Sequence, residues 1–185
     1  MVADKSGGSS RVLGIDFGKV RVGIALSDSG LTVATPHSIV NRKEALRSIK
    51  SITQDYLITT IVIGIPVHNT NNRNPIYPDL FRRLLKYGLS ANSEVSEELK
   101  NLLELNKKMP AENIEKDLLV EIFKLSLDIV EILKLNVEFY DEKFTSKIVK
   151  DVAKLLNVNE KKQKGKLDDL AASVMLQSWL DWRKR

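Results

Sequence analysis

Two apolar runs on either side of a tight turn constrain this chain more than any other feature. Residues 11–17 (Arg11-Val12-Leu13-Gly14-Ile15-Asp16-Phe17) and 20–27 (Val20 to Ser27) are apolar at nearly every position. Each reads as a strand, and their closeness predicts an antiparallel hairpin. A third run, Leu31 to Val40, follows the turn signal Asp28-Ser29-Gly30 and extends the meander. Inside the first run sits a carboxylate, Asp16. A carboxylate in such a setting must be satisfied by hydrogen bonds, a cation or a metal, because burying it unpaired is very costly. The glycines Gly14, Gly18 and Gly23 permit close approach of backbone or ligand at the strand ends.

The remaining pattern supplies the other elements. Asn41 is placed to cap a helix from Arg42, within which Ala45, Leu46, Ile49 and Ile52 fall at helical spacing. Ile58 to Ile65 is a short β-branched run ending in Gly64-Ile65-Pro66, the pattern of a fully buried strand. Residues 67–117 open with an Asn-rich loop (His68 to Pro75) and continue into two amphipathic pieces, Pro78 to Tyr87 and Ser93 to Asn106. Weak core patterning makes this stretch read as an insertion mounted on a loop, dispensable for folding. Helical spacing returns from about Ala111 to Leu133, and Asn136 to Tyr140 forms the fifth strand. Helices are expected over Phe144 to Leu156 and Leu167 to Trp182, with a Lys-rich loop, Asn157 to Lys166, between them. The order of three strands, helix, strand, helix, strand, helix, helix is the connectivity of a ribonuclease-H-like α/β fold. That fold has a mixed five-stranded sheet, a three-strand antiparallel meander plus two parallel strands, flanked by helices. One domain over 11–182 follows from this, preceded by a flexible tail, 1–10, without the features of a signal or transit peptide.

Composition excludes several classes of chemistry. The 185 residues contain no cysteine and only two histidines, His37 and His68, so thiolate and histidine-rich metal sites are ruled out. No run approaches the ~18 apolar residues of a membrane span, and the cytoplasm is the default location. Charge is unevenly spread. Residues 118–142 carry two basic and six acidic side chains, while 143–166 carry eight basic and two acidic. An acidic site beside a basic segment is what a nuclease needs to hold metal and phosphodiester together. Lys143, Lys147, Lys150 and Lys154 share one helix face by spacing and would track phosphates, or form an ordinary solvated face.

Besides Asp16, two acidic positions stand where elements begin or end. Asp141-Glu142 closes the fifth strand and Asp168 opens the last helix. Phosphodiester hydrolysis needs an activated water and a stabilised leaving oxygen, which two hard cations bridged by carboxylates can supply. Mg²⁺ prefers oxygen ligands and keeps waters, so three or four carboxylates suffice. Asp16 would be the bridging ligand and Asp168 would complete the site. Consecutive strand residues point to opposite faces, so one of Asp141 and Glu142 belongs to it and the residues leave open which. Each position has a structural alternative: a hydrogen-bond acceptor in the hairpin for Asp16, a helix-dipole charge for Glu142, an N-cap for Asp168. Thr145 and Ser146 suit capping. Arg21 is a phosphate contact or a surface hairpin residue. Trp179 and Trp182 are three apart on the last helix, and core packing is favoured for both over base stacking.

Four blocks in order resemble the YqgF/RuvX family, which comprises Holliday-junction-resolvase-like proteins also described as pre-16S ribosomal RNA nucleases. Gly14 to Gly18 followed by Arg21 to Asp28 is similar to the family's opening. Val62-Ile63-Gly64-Ile65-Pro66 is similar to its central strand, and Asp141-Glu142-Lys143-Phe144-Thr145-Ser146 to its acidic block. Lys164 to Asp168, with Leu170 to Ala172 and Leu176 to Leu180, is similar to its C-terminal block. The resemblance implies the catalytic set Asp16, Asp141, Glu142 and Asp168, with Asp16, Glu142 and Asp168 on Mg²⁺ or Mn²⁺. It implies a hydrolase whose partner is a ribosomal RNA precursor, with branched DNA or non-catalytic nucleic-acid binding as alternatives, and it leaves the oligomeric state open. Two departures stand out. The short polar Asp-Gly loop usual after the Gly-x-Pro motif is replaced by 67–117, and Lys143 replaces an arginine, losing bidentate geometry. An actin-like ATPase shares the Gly-Ile-Asp-x-Gly pattern but needs a second such lobe, which one domain does not provide.

Overall fold

The hairpin forms as its apolar pattern requires. β1 (Arg11–Phe17) and β2 (Arg21–Ser27) pair antiparallel, with Ile15 opposite Ile24 and Asp16 opposite Gly23. The turn closes when the Gly18 amide donates to the Arg21 carbonyl at 2.9 Å. A Cβ on Gly18 would lie 2.7 Å from that same oxygen, so only glycine fits. β3 (Ala34–Asn41) continues the meander on the far side of β2. The structure, a computed structural model, describes residues 10–65, 77–107, 118–141 and 164–184. The expected tail, the Asn-rich loop, the 144–156 helix and most of the Lys-rich loop lie outside these residues.

Asn41 caps as expected, its side chain accepting from the Lys43 amide at 3.1 Å. The first turn it starts is a short 3₁₀ segment, Arg42–Glu44, which leads into α1 (Ala45–Asp55). β4 (Ile58–Ile65) returns parallel to β1, and β5 (Asn136–Asp141) runs parallel to β4. The sheet order is β3-β2-β1-β4-β5, so β1 occupies the centre and β5 an edge. This is the mixed five-stranded, ribonuclease-H-like arrangement.

Helices cover both faces. α1, α2 (Tyr77–Tyr87), α3 (Glu94–Lys107) and α4 (Leu118–Asp128) contribute buried residues to one large core with Leu13, Ile15, Ile61, Ile63, Val137 and Phe139 of the sheet. α4 ends in a wider π-type turn, Ile129–Leu133, which keeps both Ile129 and Val130 buried where a regular helix was expected to run on. Among the described residues, α5 (Lys164–Arg183) is the helix that covers the opposite face, over Val12, Ala25 and Val62. A Cβ on Gly14 would meet the Leu176 Cβ at 2.8 Å, so glycine at this position lets α5 lie close on β1. Gln177 pins one flank of α5, its amide nitrogen donating to the Thr32 carbonyl at 3.0 Å and its oxygen accepting from Ala34 N at 2.8 Å. Trp179 pins the other, donating from Nε1 to Glu138 Oε2 at 3.1 Å.

The expectation that residues 67–117 leave the core alone is corrected for their described part. Leu80, Leu84, Leu89, Leu99 and Leu102 are all buried in the main core. Leu89 forms a two-way backbone bridge to Val137 of the edge strand, at 2.7 and 2.9 Å. The physical reason is that α2 and α3 each bury a narrow apolar stripe while their outer faces hold ion pairs. Arg83 pairs with Glu98 and Glu94, and Lys100 with Glu97 and Glu131. The two amphipathic pieces expected from the sequence are therefore helices, and the correction is that their apolar stripes enter the main core.

Candidate functional site

Asp16 stands one residue before the end of β1, the central strand. Its face follows from the pleat. Leu13, Ile15 and Phe17 enter the large core, while Val12 and Gly14 lie under α5, so Asp16 belongs to the α5 face. On that face neither neighbouring strand places a side chain beside it. Gly23 is its partner on β2, and on β4 the residue following the Ile15–Ile63 pair is Gly64. The half-buried carboxylate therefore has glycines as its neighbours on both adjacent strands, which permit a close approach of backbone or ligand. Gly64 was legible in the sequence only as part of a strand motif, since its placement beside Asp16 depends on the parallel register.

The registers also separate the acidic pair. Ile15, Ile63 and Phe139 stand abreast across β1, β4 and β5, and Asp141 aligns with Ile65 at the end of the sheet. Asp141 thus reaches the same end of the sheet as Asp16. The alternation of β5, with Val137 and Phe139 in the large core and Tyr140 packed under α5, assigns Asp141 to the large-core side. Glu142 lies outside the described residues, as do Lys143, Thr145, Ser146, Lys147, Lys150 and Lys154. Asp168 falls within the first turns of α5, with its side chain outside the description. Among the described residues no three carboxylates or imidazoles converge as a metal-binding group. Asp16 is the member of the expected set whose placement the fold fixes on the α5 face. Its carboxylate chemistry and glycine surroundings fit a hard cation.

Arg21 begins β2 on the same face as Gly23 and is exposed at the mouth of the hairpin, within reach of a backbone lying over Asp16. The two tryptophans, taken together in the sequence, part company. Trp179 is buried at 2% exposure, whereas Trp182 is 62% exposed. No helix among the described residues is long and apolar enough to cross a membrane.

Comparison with known proteins adds a family. A family model described as "RuvX: Holliday junction resolvase" matches residues 10–87 and 105–182. The stretch it leaves out, 88–104, contains most of α3, while α2 falls within the match. A relative from Sulfurihydrogenibium sp. (strain YO3AOP1), named "Putative pre-16S rRNA nuclease", is 30% identical over 173 residues, covering 93% of this chain and 90% of its own length. One of the same name from Anaeromyxobacter sp. (strain K) is 26% identical over 176 residues, covering 94% and 98%. Among solved structures, T. thermophilus RuvC in complex with a Holliday junction substrate aligns over 95% of this chain and 96% of that one, at a TM-score of 0.36 and 14% identity. That likeness is too distant to bear on the site.

Proposed function

This chain belongs to the RuvX family, and from that membership and the position of Asp16 we propose that it is a metal-dependent nuclease acting on structured nucleic acid. The 5′ end of pre-16S ribosomal RNA is the first candidate substrate, in keeping with the names of its relatives, and branched DNA the second. The observation that carries the reading is a half-buried carboxylate on the central strand whose cross-strand neighbours are Gly23 and Gly64.

Asp16, Glu142 and Asp168 are the residues assigned to hold Mg²⁺ or Mn²⁺. Of the adjacent pair, Glu142 is preferred because the β5 alternation takes Asp141 to the other face. Bound metal supplies an activated water and charge stabilisation at the phosphate. The chain's own part includes presenting Asp16 from the central strand of the sheet, which limits its reorganisation when the phosphate arrives. Arg21 and the lysines Lys143, Lys147, Lys150 and Lys154 are assigned to the phosphate backbone. Their share is electrostatic, so the slope of log affinity against log salt should flatten by roughly 0.7–0.9 for each contact removed.

Cleavage of single-stranded RNA, structured RNA and a four-way DNA junction, each with Mg²⁺, Mn²⁺ and chelator, tests the reading. Metal-dependent cleavage of at least one substrate is expected, and the ranking of the three identifies the substrate. Absence of cleavage with all of them, alongside retained binding, would leave a binding module in place of an enzyme.

A further inference from the structure

Beyond the Leu89 bridge, the edge of β5 borders a cleft that does not include Asp16. It has a volume of about 310 Å³ and runs between the C-terminal ends of α2 and α5, which lie on opposite faces of the sheet. Tyr87 and Gly88 line it from α2, Glu138, Tyr140 and Asp141 from β5, and Trp182 from α5. Two of these aromatics are conspicuously solvent-facing, Tyr87 at 64% and Trp182 at 62% exposure. Exposed apolar groups scattered singly need no explanation. Here two stand in one cleft, on helices that approach from opposite sides of a strand edge.

Two cations stand beside the aromatics of the cleft. Lys86 Nζ lies 4.9 Å from the centroid of the Tyr87 ring, and the Arg183 guanidinium lies 4.9 Å over Trp179. Both cations are exposed at the rim. Two carboxylates also line the cleft, Glu138 and Asp141, and Glu138 accepts from Trp179 at 3.1 Å and lies 3.7 Å from Arg183. Asp141 lies at the end of β5 nearest the site. Aromatic faces flanked by cations are the means by which proteins hold unpaired nucleic-acid bases: the ring stacks on the base and the cation meets the phosphate. A duplex cannot use them, because its bases are already stacked on each other. The volume lies at the small end of the roughly 300–1,000 Å³ typical of small-ligand sites, which suits a nucleoside and excludes a helix.

Position links the cleft to the nuclease site. β5 is two strands from β1, so the cleft begins roughly 10 Å from Asp16 at about 4.8 Å per strand. At about 3.4 Å of rise per stacked nucleotide, that is one to three nucleotides along a strand. We propose that the β5-edge cleft, with Tyr87 and Trp182 as stacking faces and Lys86 and Arg183 as phosphate contacts, holds an unpaired nucleotide of the substrate beside the cut. The proposal rests on the nuclease reading and narrows its substrate to nucleic acid with single-stranded character next to the scissile phosphate.

The test uses the full chain with short single-stranded RNA and DNA oligonucleotides, and a blunt duplex as control. Tyr87→Ala, Trp182→Ala and the double variant are compared with Trp182→Phe by fluorescence anisotropy, with unfolding curves to verify folding. Each alanine variant should weaken single-strand binding by about 5- to 150-fold, the range for loss of one stacked base, while duplex binding changes little. Trp182→Phe should retain most of the affinity. Because Trp179 is buried, oligonucleotide quenching of tryptophan fluorescence in the unaltered protein should vanish in Trp182→Phe. Should Trp182→Ala fail to fold, Tyr87→Ala on the other helix and this quenching still decide. Unchanged single-strand affinity in the double variant, with no quenching, overturns the proposal. Loss of self-association in that variant would instead put a second copy of the chain in the cleft, and also overturns it. Metal-dependent cleavage with intact single-strand binding in the double variant removes the cleft and keeps the nuclease. Aromatic-dependent binding without any cleavage does the reverse.

Discussion

The two faces of the central sheet are built to different rules. On one, Leu13, Ile15, Ile24, Ile61, Ile63 and Phe139 meet four helices in a continuous aliphatic core. On the other, α5 lies over Val12, Ala25 and Val62, with Gly14, Gly23 and Gly64 between them and Asp16 beyond. The first face buries large side chains and carries most of the hydrophobic stabilisation. The second gives up side-chain volume, which brings α5 close and leaves space around a carboxylate. Packing and chemistry have thus been divided between the two sides of the same strands, one residue apart. The consequence is that substitutions on the two faces should fail in different ways.

The largest separation is expected from Asp16→Asn. It removes the charge proposed to ligate the metal at nearly constant shape, so cleavage should fall by about 10³-fold or more. The unfolding midpoint should hold or rise, since repulsion among clustered carboxylates is relieved. Full activity in the purified variant would break the assignment of chemistry to this face. On the other face, Leu99→Ala in α3 removes a fully buried side chain and should cost about 2–5 kcal/mol in urea unfolding, with cleavage per folded molecule preserved. A cost under about 1 kcal/mol, within the range of surface substitutions, would return α3 to the status of an appendage.

Gly14→Ala tests the thinness of the α5 face directly. Its new methyl would lie 2.8 Å from the Leu176 Cβ, so α5 must shift, at a cost of about 1–3 kcal/mol. Adding Leu176→Gly should recover part of the overpacking cost in a double-mutant cycle, and strict additivity would show that the close approach is not the cause. The smallest effect belongs to the turn between β2 and β3, outside both faces. Asp28 accepts from the Val33 and Thr32 amides, at 2.9 and 2.6 Å, and these bonds hold its carboxyl below the ordinary value of 3.8. A lowered carboxyl contributes stability that is present above pH 3.8 and is lost as pH falls through the lower folded value. The unfolding midpoint of the unaltered chain should therefore drop slightly more than that of Asp28→Asn between pH 5 and pH 3. Identical slopes would remove the turn from the account.

Much of this architecture was legible in the residues because the signals are local. The hairpin followed from apolar runs and a turn, the Asn41 cap from one side chain at a helix start, and the five-strand order from connection lengths. Asp16 was legible for the same reason, as a carboxylate inside an apolar strand. The α2–α3 stretch was misread because its two short amphipathic helices have narrow apolar stripes, which mean little until an edge strand and α4 are there to receive them. Core packing held for Trp179 and failed for Trp182, two residues that sit three apart on one helix. Trp179 packs in the α5-face core and donates to Glu138, while Trp182, further along the helix, faces solvent.

The sequence by itself determined the strands, their order and the carboxylate at the centre, because periodicity, turn chemistry and the cost of a buried charge act over a few residues. The tertiary structure alone decided which residues share a face and an edge. It set Gly23 and Gly64 on either side of Asp16, turned Asp141 toward the large core, and brought Tyr87 and Trp182 to one cleft. Those relations depend on strand register and helix docking. A one-residue slip in either reverses them without altering any local pattern.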